Sequence, residues 1–303
     1  MKKPALDLSG IFPPIPTAFT AAGEIDYAAQ QANMERWEQA PLSGYVVGGS
    51  NGEVVSLSWE ERVELVRFTR RYAHEERLVI AGSGMHSTRE TIALTRAMAE
   101  AGAGAALVVT PSYYKSRMDA QALITYYTQV AQAVPIPLIL YNVPANTSID
   151  MPAGTILELS AHPNIIGLKD SSGNVAKLGE ICNSAGDTFQ VLSGSASSFL
   201  GAMAMGAVGA VSALANIAPE ALHRIWTLAQ EGDYLSARPL QLALIEANNA
   251  ITSRFGIAGL KAAMDMVGLA GGVPRPPLLP LSASDAASLR TSLERAGFIP
   301  QET

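Results

Sequence analysis

One cysteine, Cys182, is all that the 303 residues contain, so no disulfide can close within the chain and no thiolate metal cluster can be built from it alone. That usage fits an intracellular, cytoplasmic setting, where thiols stay reduced. Charge is sparse: Asp, Glu, Lys and Arg make up 16% of the chain, the net charge is −6, and no basic run stands out, which argues against a nucleic-acid partner. Histidine is scarce too. His74, His86, His162 and His223 form no H-x-x-x-H or H-x-H pair, so no metal is expected. Met1-Lys2-Lys3-Pro4 has the charge of a signal peptide without the apolar stretch that must follow it. One uncharged run, residues 199–218, is long enough to cross a bilayer. Its Gly and Ala content, Ser212, Asn216 and the lack of flanking basic residues point instead to a buried helix, turn and strand, and no membrane partner is expected. Phosphate-binding signatures are incomplete. No Lys follows the glycine of Gly49-Ser50-Asn51-Gly52 as a Walker loop requires, and Gly82-Ser83-Gly84 and Gly102-Ala103-Gly104 lack the third glycine of a dinucleotide fingerprint.

What is present is apolar and rhythmic. Apolar residues are 48% of the chain, enough for a large core. Eight β-rich runs, at 10–19, 44–48, 78–82, 105–110, 138–141, 165–169, 189–193 and 208–212, alternate with amphipathic stretches at 27–40, 59–73, 87–100, 120–133, 152–161 and 175–183. In 59–73, Val63, Leu65, Val66 and Ala73 oppose Glu60, Glu61, Arg67 and Arg70, and Ser58 ahead of Glu61 predicts a capping box. Eight such units predict a (β/α)8 TIM barrel of the α/β class, with a doubly wound open sheet as the rival. Past residue 230 the strand signal stops. Helical patterns at 234–254, 260–267 and 284–296, with a Pro-rich connector at 273–280, predict a C-terminal helical extension. The expected organisation is a barrel over residues 1–230 carrying the active site and an extension over 231–303 packed on it as one structural unit. Met203, Met205, Met264 and Met266 read as core filler.

Barrel active sites lie at the C-terminal ends of the strands. There the sequence places Ser50-Asn51-Gly52, Tyr113-Tyr114, Tyr141, Lys169 and Ser193-Gly194-Ser195. Lys169 ends the apolar run Ile165-Ile166-Gly167-Leu168, where an amine would enter an enclosed mouth. A lysine nucleophile must be neutral; an ordinary pKa of about 10.4 leaves roughly one amine in two thousand so at pH 7. Lowering such a value by ~3 units costs about 4 kcal/mol, reasonable only where the site uses it. The local run equally allows a structural ion pair with Asp170. Tyr141 could donate and recover a proton or could be a core tyrosine with its hydroxyl at the edge. The turn at Ser50, Asn51 and Gly52 suits a carboxylate or phosphate, but such turns also occur without ligands.

Together, Gly49-Ser50-Asn51-Gly52-Glu53, Tyr113-Tyr114, Tyr141-Asn142-Val143-Pro144 and Gly167-Leu168-Lys169-Asp170 resemble the dihydrodipicolinate synthase/N-acetylneuraminate lyase superfamily of class I aldolases. The resemblance runs in order over essentially the whole chain, including the opening Gly10-Ile11-Phe12-Pro13-Pro14. It implies a (β/α)8 barrel with a C-terminal helical extension, built as a homotetramer that is a dimer of dimers. It further implies that Lys169 forms a Schiff base with a small 2-oxo acid such as pyruvate, without a cofactor, while Tyr141 shuttles protons. Ser50 and Asn51 would hold the substrate carboxylate. Tyr114 would reach the relay from a neighbouring subunit, linked to Tyr141 through Ser50. Gly194 and Val211 match pocket-lining positions, and Ser171 would face the distal end of the substrate.

One departure bears on the substrate. Synthases of this family carry an arginine two residues after Tyr-Asn-Val-Pro to bind the aldehyde's carboxylate, and Asn146 stands there in this chain. An amide cannot supply a charged fork, which disfavours condensation with aspartate semialdehyde. Ala145-Asn146-Thr147 and the Tyr113-Tyr114 pair followed by Arg117-Met118 resemble the 4-hydroxy-2-oxoglutarate aldolase branch, which releases pyruvate and glyoxylate. The expectation is therefore a carbon–carbon lyase. The alternatives are a condensing synthase or a sugar-acid aldolase or dehydratase on the same scaffold, and, outside catalysis, an oxo-acid-binding sensor.

Overall fold

The apolar runs become eight parallel strands in a computed structural model that describes residues 6–301; the Met1-Lys2-Lys3-Pro4 stretch lies outside the described residues. The strands are β1 (Gly10–Phe12), β2 (Gly44–Val47), β3 (Leu78–Gly82), β4 (Ala105–Val109), β5 (Leu138–Asn142), β6 (Ile165–Asp170), β7 (Gln190–Ser193) and β8 (Gly209–Val211). They pair in the order β1-β8-β7-β6-β5-β4-β3-β2. The remaining edge closes β1 on β2: Ser43 N–H donates to Ile11 O at 2.9 Å, Val46 N–H to Pro13 O at 2.9 Å and Ile15 N–H to Val46 O at 3.0 Å. The result is a (β/α)8 barrel, not an open doubly wound sheet.

The first strand is shorter than the expected 10–19. Pro13, Pro14 and Pro16 have no N–H to give, so a continuous ladder past Phe12 is impossible and the chain leaves the sheet after a single further bridge, Pro14 to Val46. Inside the barrel, Phe12, Val46, Ile80, Leu107, Ile139 and Leu192 fill the axis as one apolar cluster.

Helices cover the outside: α1 (Tyr27–Trp37), α2 (Trp59–Tyr72), α3 (Thr88–Glu100), α4 (Ala120–Ala133), the single turn α5 (Pro144–Thr147), α6 (Ala153–Ser160), α7 (Val175–Ser184), α8 (Phe199–Ala204) and α9 (Pro219–Gln230). Their starts are chemically marked. Asp26, Ser58, Ser87, Asp119 and Asn174 each accept a first-turn N–H through the side chain, and at Ser58 the reciprocal bond from its own N–H to Glu61 completes the capping box. The uncharged run 199–218 folds as α8, a turn, β8 and a short 3-10 turn at Ala213–Asn216. Among the described residues no helix is long and apolar enough to cross a membrane.

The extension contributes α10 (Tyr234–Asn249), α11 (Gly256–Met266) and α12 (Ala283–Arg295). The expected helix over 234–254 does not run through as α-helix: its last five residues, Ala250–Arg254, form a π-helical turn, and Gly256 at φ +56° starts α11 earlier than expected. Ile251, Leu260, Met264 and Leu289 are buried in the same cluster as Trp37, Phe199 and Leu214 of the barrel. Met203 and Met264 fill core space, whereas Met205 is 45% exposed. Burial pushes the Cys182 thiol up to about 11, which leaves it protonated at neutral pH.

Candidate active site

Parallel pairing of β5 with β6 sets Tyr141 directly beside Lys169, and pairing of β6 with β7 sets Lys169 beside Leu192. Residues at one level of a parallel sheet share a face. Tyr141 and Leu192 belong to the barrel-axis cluster, so Lys169 also faces the axis. It is only 3% exposed, and its Nζ lies 4.1 Å from the centre of the Tyr141 ring.

The next residues, Asn142 and Asp170, face the helices. Asp170 accepts from Asn142 Nδ2 at 2.8 Å and from Ser172 N–H at 2.8 Å, and pairs with Lys177 Nζ of α7 at 2.9 Å. Lys177 also reaches Asp150 at 2.5 Å. The acid adjacent to Lys169 in sequence is thus engaged by another lysine on the opposite face of the sheet. The simple ion-pair reading of Lys169 with Asp170 is set aside by this geometry.

Ser50 and Asn51 lie on a 3-10 turn, Ser50–Gly52, directly after β2. The Ser50 and Tyr141 hydroxyls are 3.3 Å apart. Thr17 Oγ1 donates to Gly52 O at 2.8 Å, and Glu53 N–H donates to Ser50 O at 3.1 Å. Glu53 adopts φ +56°, a left-handed conformation that costs a non-glycine residue about 1–3 kcal/mol. Its buried carboxylate pairs with Lys261 of α11 at 2.6 Å and accepts from Arg275 N–H at 2.8 Å. Neither Lys261 nor Arg275 was among the candidates from the sequence. A lone lysine beside Leu260, Ala263 and Met264 on an apolar helix was the available signal, because lysine is seldom buried without a partner.

Burial raises the Tyr141 phenol, but the Lys169 charge and hydrogen bonds with Ser50, Lys169 and Ser171 outweigh it, so the net shift is downward. Gly194 makes room for Ser171: a Cβ there would sit 2.0 Å from the Ser171 hydroxyl. Val211 ends β8 and is buried with Tyr141 in the barrel-axis cluster. Above this level opens a cavity of about 550 Å³. Ser50, Thr110, Tyr141, Val143 and Asn146 line it, and Ile257, Pro277 and Leu278 of the extension form part of its wall. The hydroxyl of Thr110 is buried without a hydrogen-bond partner. Lys169 is not itself among the lining residues; its Nζ lies 4.1 Å from the ring centre of Tyr141, which is. Tyr114 stands apart from Tyr141, 70% exposed and stacked edge-on with Tyr113 at 5.0 Å. Among the described residues no three His, Cys, Asp or Glu side chains are grouped as metal ligands.

Residues 7–296 match the dihydrodipicolinate synthetase family. The chain is 36% identical over 291 residues to a 4-hydroxy-tetrahydrodipicolinate synthase of Methanococcoides burtonii, covering 96% of this chain and 99% of that one. It is 35% identical over 293 residues to a probable mitochondrial 4-hydroxy-2-oxoglutarate aldolase of Emericella nidulans, covering 95% and 94%. Its fold superposes on a dihydrodipicolinate synthase from Acinetobacter baumannii, solved with pyruvate, with a TM-score of 0.92 at 33% identity over 97% of this chain and 100% of that one.

Proposed function

The chain belongs to the dihydrodipicolinate synthetase family, whose members are pyruvate-using class I aldolases and lyases, and from that premise we propose that it cleaves a 4-hydroxy-2-oxo acid through a Schiff base on Lys169, releasing pyruvate and an aldehyde. The observation that carries this reading is the buried Lys169 amine 4.1 Å from the Tyr141 ring, with the Ser50 hydroxyl 3.3 Å from the Tyr141 hydroxyl.

Tyr141, with its lowered pKa, takes the proton that frees the Lys169 amine. The amine attacks the C2 ketone, and Tyr141 returns a proton as the carbinolamine loses water. In the resulting iminium the C3–C4 bond breaks, its electron pair entering the C2–N system as an enamine, while the C4 hydroxyl gives its proton to the Tyr141 phenolate and becomes the aldehyde. Tyr141 returns that proton to C3, and addition of water to the iminium so formed releases pyruvate and restores the amine. Ser50 and the N–H groups of its turn hold the substrate carboxylate with Asn51, Gly194 and Val211 line the pocket, and Ser171 faces the distal end of the substrate. Tyr114 completes the relay from a neighbouring subunit of a dimer-of-dimers homotetramer, a role its 70% exposure in the single chain leaves room for.

The aldehyde released is glyoxylate in this reading, and the 35% identical probable 4-hydroxy-2-oxoglutarate aldolase supports it. Asn146 lines the cavity and offers neutral amide hydrogen bonds, not a guanidinium fork, to the carboxylate that glyoxylate and aspartate semialdehyde both carry, so by itself it does not choose between them. The second reading is condensation of pyruvate with an aldehyde. The names of the relatives favour it, since more of them are called 4-hydroxy-tetrahydrodipicolinate synthase than 4-hydroxy-2-oxoglutarate aldolase. Two assays separate the readings: pyruvate release from 4-hydroxy-2-oxoglutarate, and pyruvate consumption with aspartate semialdehyde. Turnover in the second assay alone would establish the synthase. Borohydride added with pyruvate is expected to fix a mass on Lys169, and an unmodified protein would remove imine chemistry altogether.

A further inference from the structure

The turn carrying Ser50 and Asn51 is held by groups that touch no substrate in the mechanism above. On its inner side Thr17 Oγ1 donates to Gly52 O at 2.8 Å. Glu53, which closes the turn and is itself among the residues lining the cavity, sends its carboxylate to Lys261 and Arg275 of the extension. The carboxylate meets Lys261 Nζ at 2.6 Å, and both side chains are fully shielded from solvent. The same amine donates to Val273 O at 2.9 Å.

Arg275 N–H supplies a second donor to Glu53, and the Arg275 side chain is itself pinned. Its guanidinium binds both Glu61 oxygens, at 2.7 and 2.8 Å, and donates to Ser56 O at 2.8 Å. The Phe19 ring lies 4.5 Å from the Lys261 amine and 4.4 Å from the Arg275 guanidinium. Desolvation largely offsets the attraction within a buried ion pair, so stability alone is a weak account of it. Glu53 also holds a left-handed backbone that persists only when its surroundings over-determine it.

The geometry points to Glu53 as a positioning residue: with Lys261, Arg275 and Thr17 it clamps the Ser50–Asn51 turn in the posture that receives the substrate carboxylate. The C-terminal extension thereby sets affinity for the 2-oxo acid from outside the barrel. This rests on the Schiff-base reading of the site, and the test is arranged to tell the two apart.

Wild type, E53Q and T17V are titrated with pyruvate and, separately, with methyl pyruvate, whose carboxylate is masked. Borohydride traps the imine, and the adduct on Lys169 is read by mass. A clamp on the carboxylate-binding turn raises half-saturating pyruvate by about tenfold in E53Q and about threefold in T17V, and leaves methyl pyruvate within about twofold in both. Parallel shifts for the two ketones would mean general loosening and overturn the proposal, as would a folded E53Q with unchanged pyruvate trapping. If E53Q does not fold, T17V decides by the same criteria. Absence of any adduct on the wild-type chain would bring down the Schiff-base reading and the clamp with it; an adduct on wild type with unselective variants sinks the clamp alone.

Discussion

At the scale of single residues, reactivity here comes from environment more than from identity. Tyr141 is an ordinary phenol until the Lys169 charge and three hydrogen-bond partners bring its pKa down. Turnover limited by Tyr141 as a base should rise with pH through an inflection below the usual tyrosine value of about 10. Y141F should lose that limb and roughly 10²–10⁴ in kcat, measured as pyruvate release across pH. Asn146→Arg tests the other end of the cavity. It should raise kcat/KM for an aldehyde bearing a carboxylate relative to one without, and an unchanged ratio would remove position 146 from substrate choice. Lys169, Tyr141 and Ser50 stood out because each closes a short apolar run or sits on a Gly-rich turn, but those local patterns equally allowed an ion pair, a core tyrosine and an unliganded turn, and only the resemblance gave them roles. The Glu53–Lys261 pair was not, because its members are far apart in sequence and only tertiary packing brings them together.

Elements carry a different kind of information. Capping residues at Asp26, Ser58, Ser87, Asp119 and Asn174 mark five helix starts, of which the sequence reading used Ser58 alone and placed the other helices from their apolar spacing. The sequence reading overran β1, because apolar continuity counts Pro13, Pro14 and Pro16 as strand-like while the ladder needs their missing N–H groups. It did not single out α9, whose Pro219 opens the first turn, nor the π-helical turn at Ala250–Arg254, whose hydrogen-bond shift has no residue signature. The β5–β6 pair depends on the network behind it. K177M leaves the fully buried Asp170 carboxylate without a cation and should cost about 3–5 kcal/mol in urea unfolding. Breaking the exposed Arg295–Glu246 pair, at 67% and 52% side-chain exposure, should cost no more than about 1 kcal/mol. Equal costs would show that Asp170 is not the buried anchor described.

For the whole molecule, barrel and extension share one apolar cluster, in which Ile251, Leu260 and Leu289 meet Trp37 and Leu214. A chain ended at residue 230 should therefore fail to fold, giving aggregate by size exclusion, while the intact chain should melt in one calorimetric transition. Arg275 ties the connector to α2 through Glu61, and the hydrogen bond to Arg275 holds that carboxyl below its usual range. A depressed carboxyl stabilises the fold above its unfolded value of about 4.3, and that contribution disappears as pH falls through the folded value. E61Q should thus lower stability near neutrality and flatten the acid limb of the unfolding curve. Lys169 and Tyr141 come from β6 and β5, whereas Ile257, Pro277 and Leu278 of the tail form part of the cavity wall. Strand residues and tail wall are written in separate passages of the gene, so descendants can redraft what the wall admits while the barrel beneath stays word for word the same.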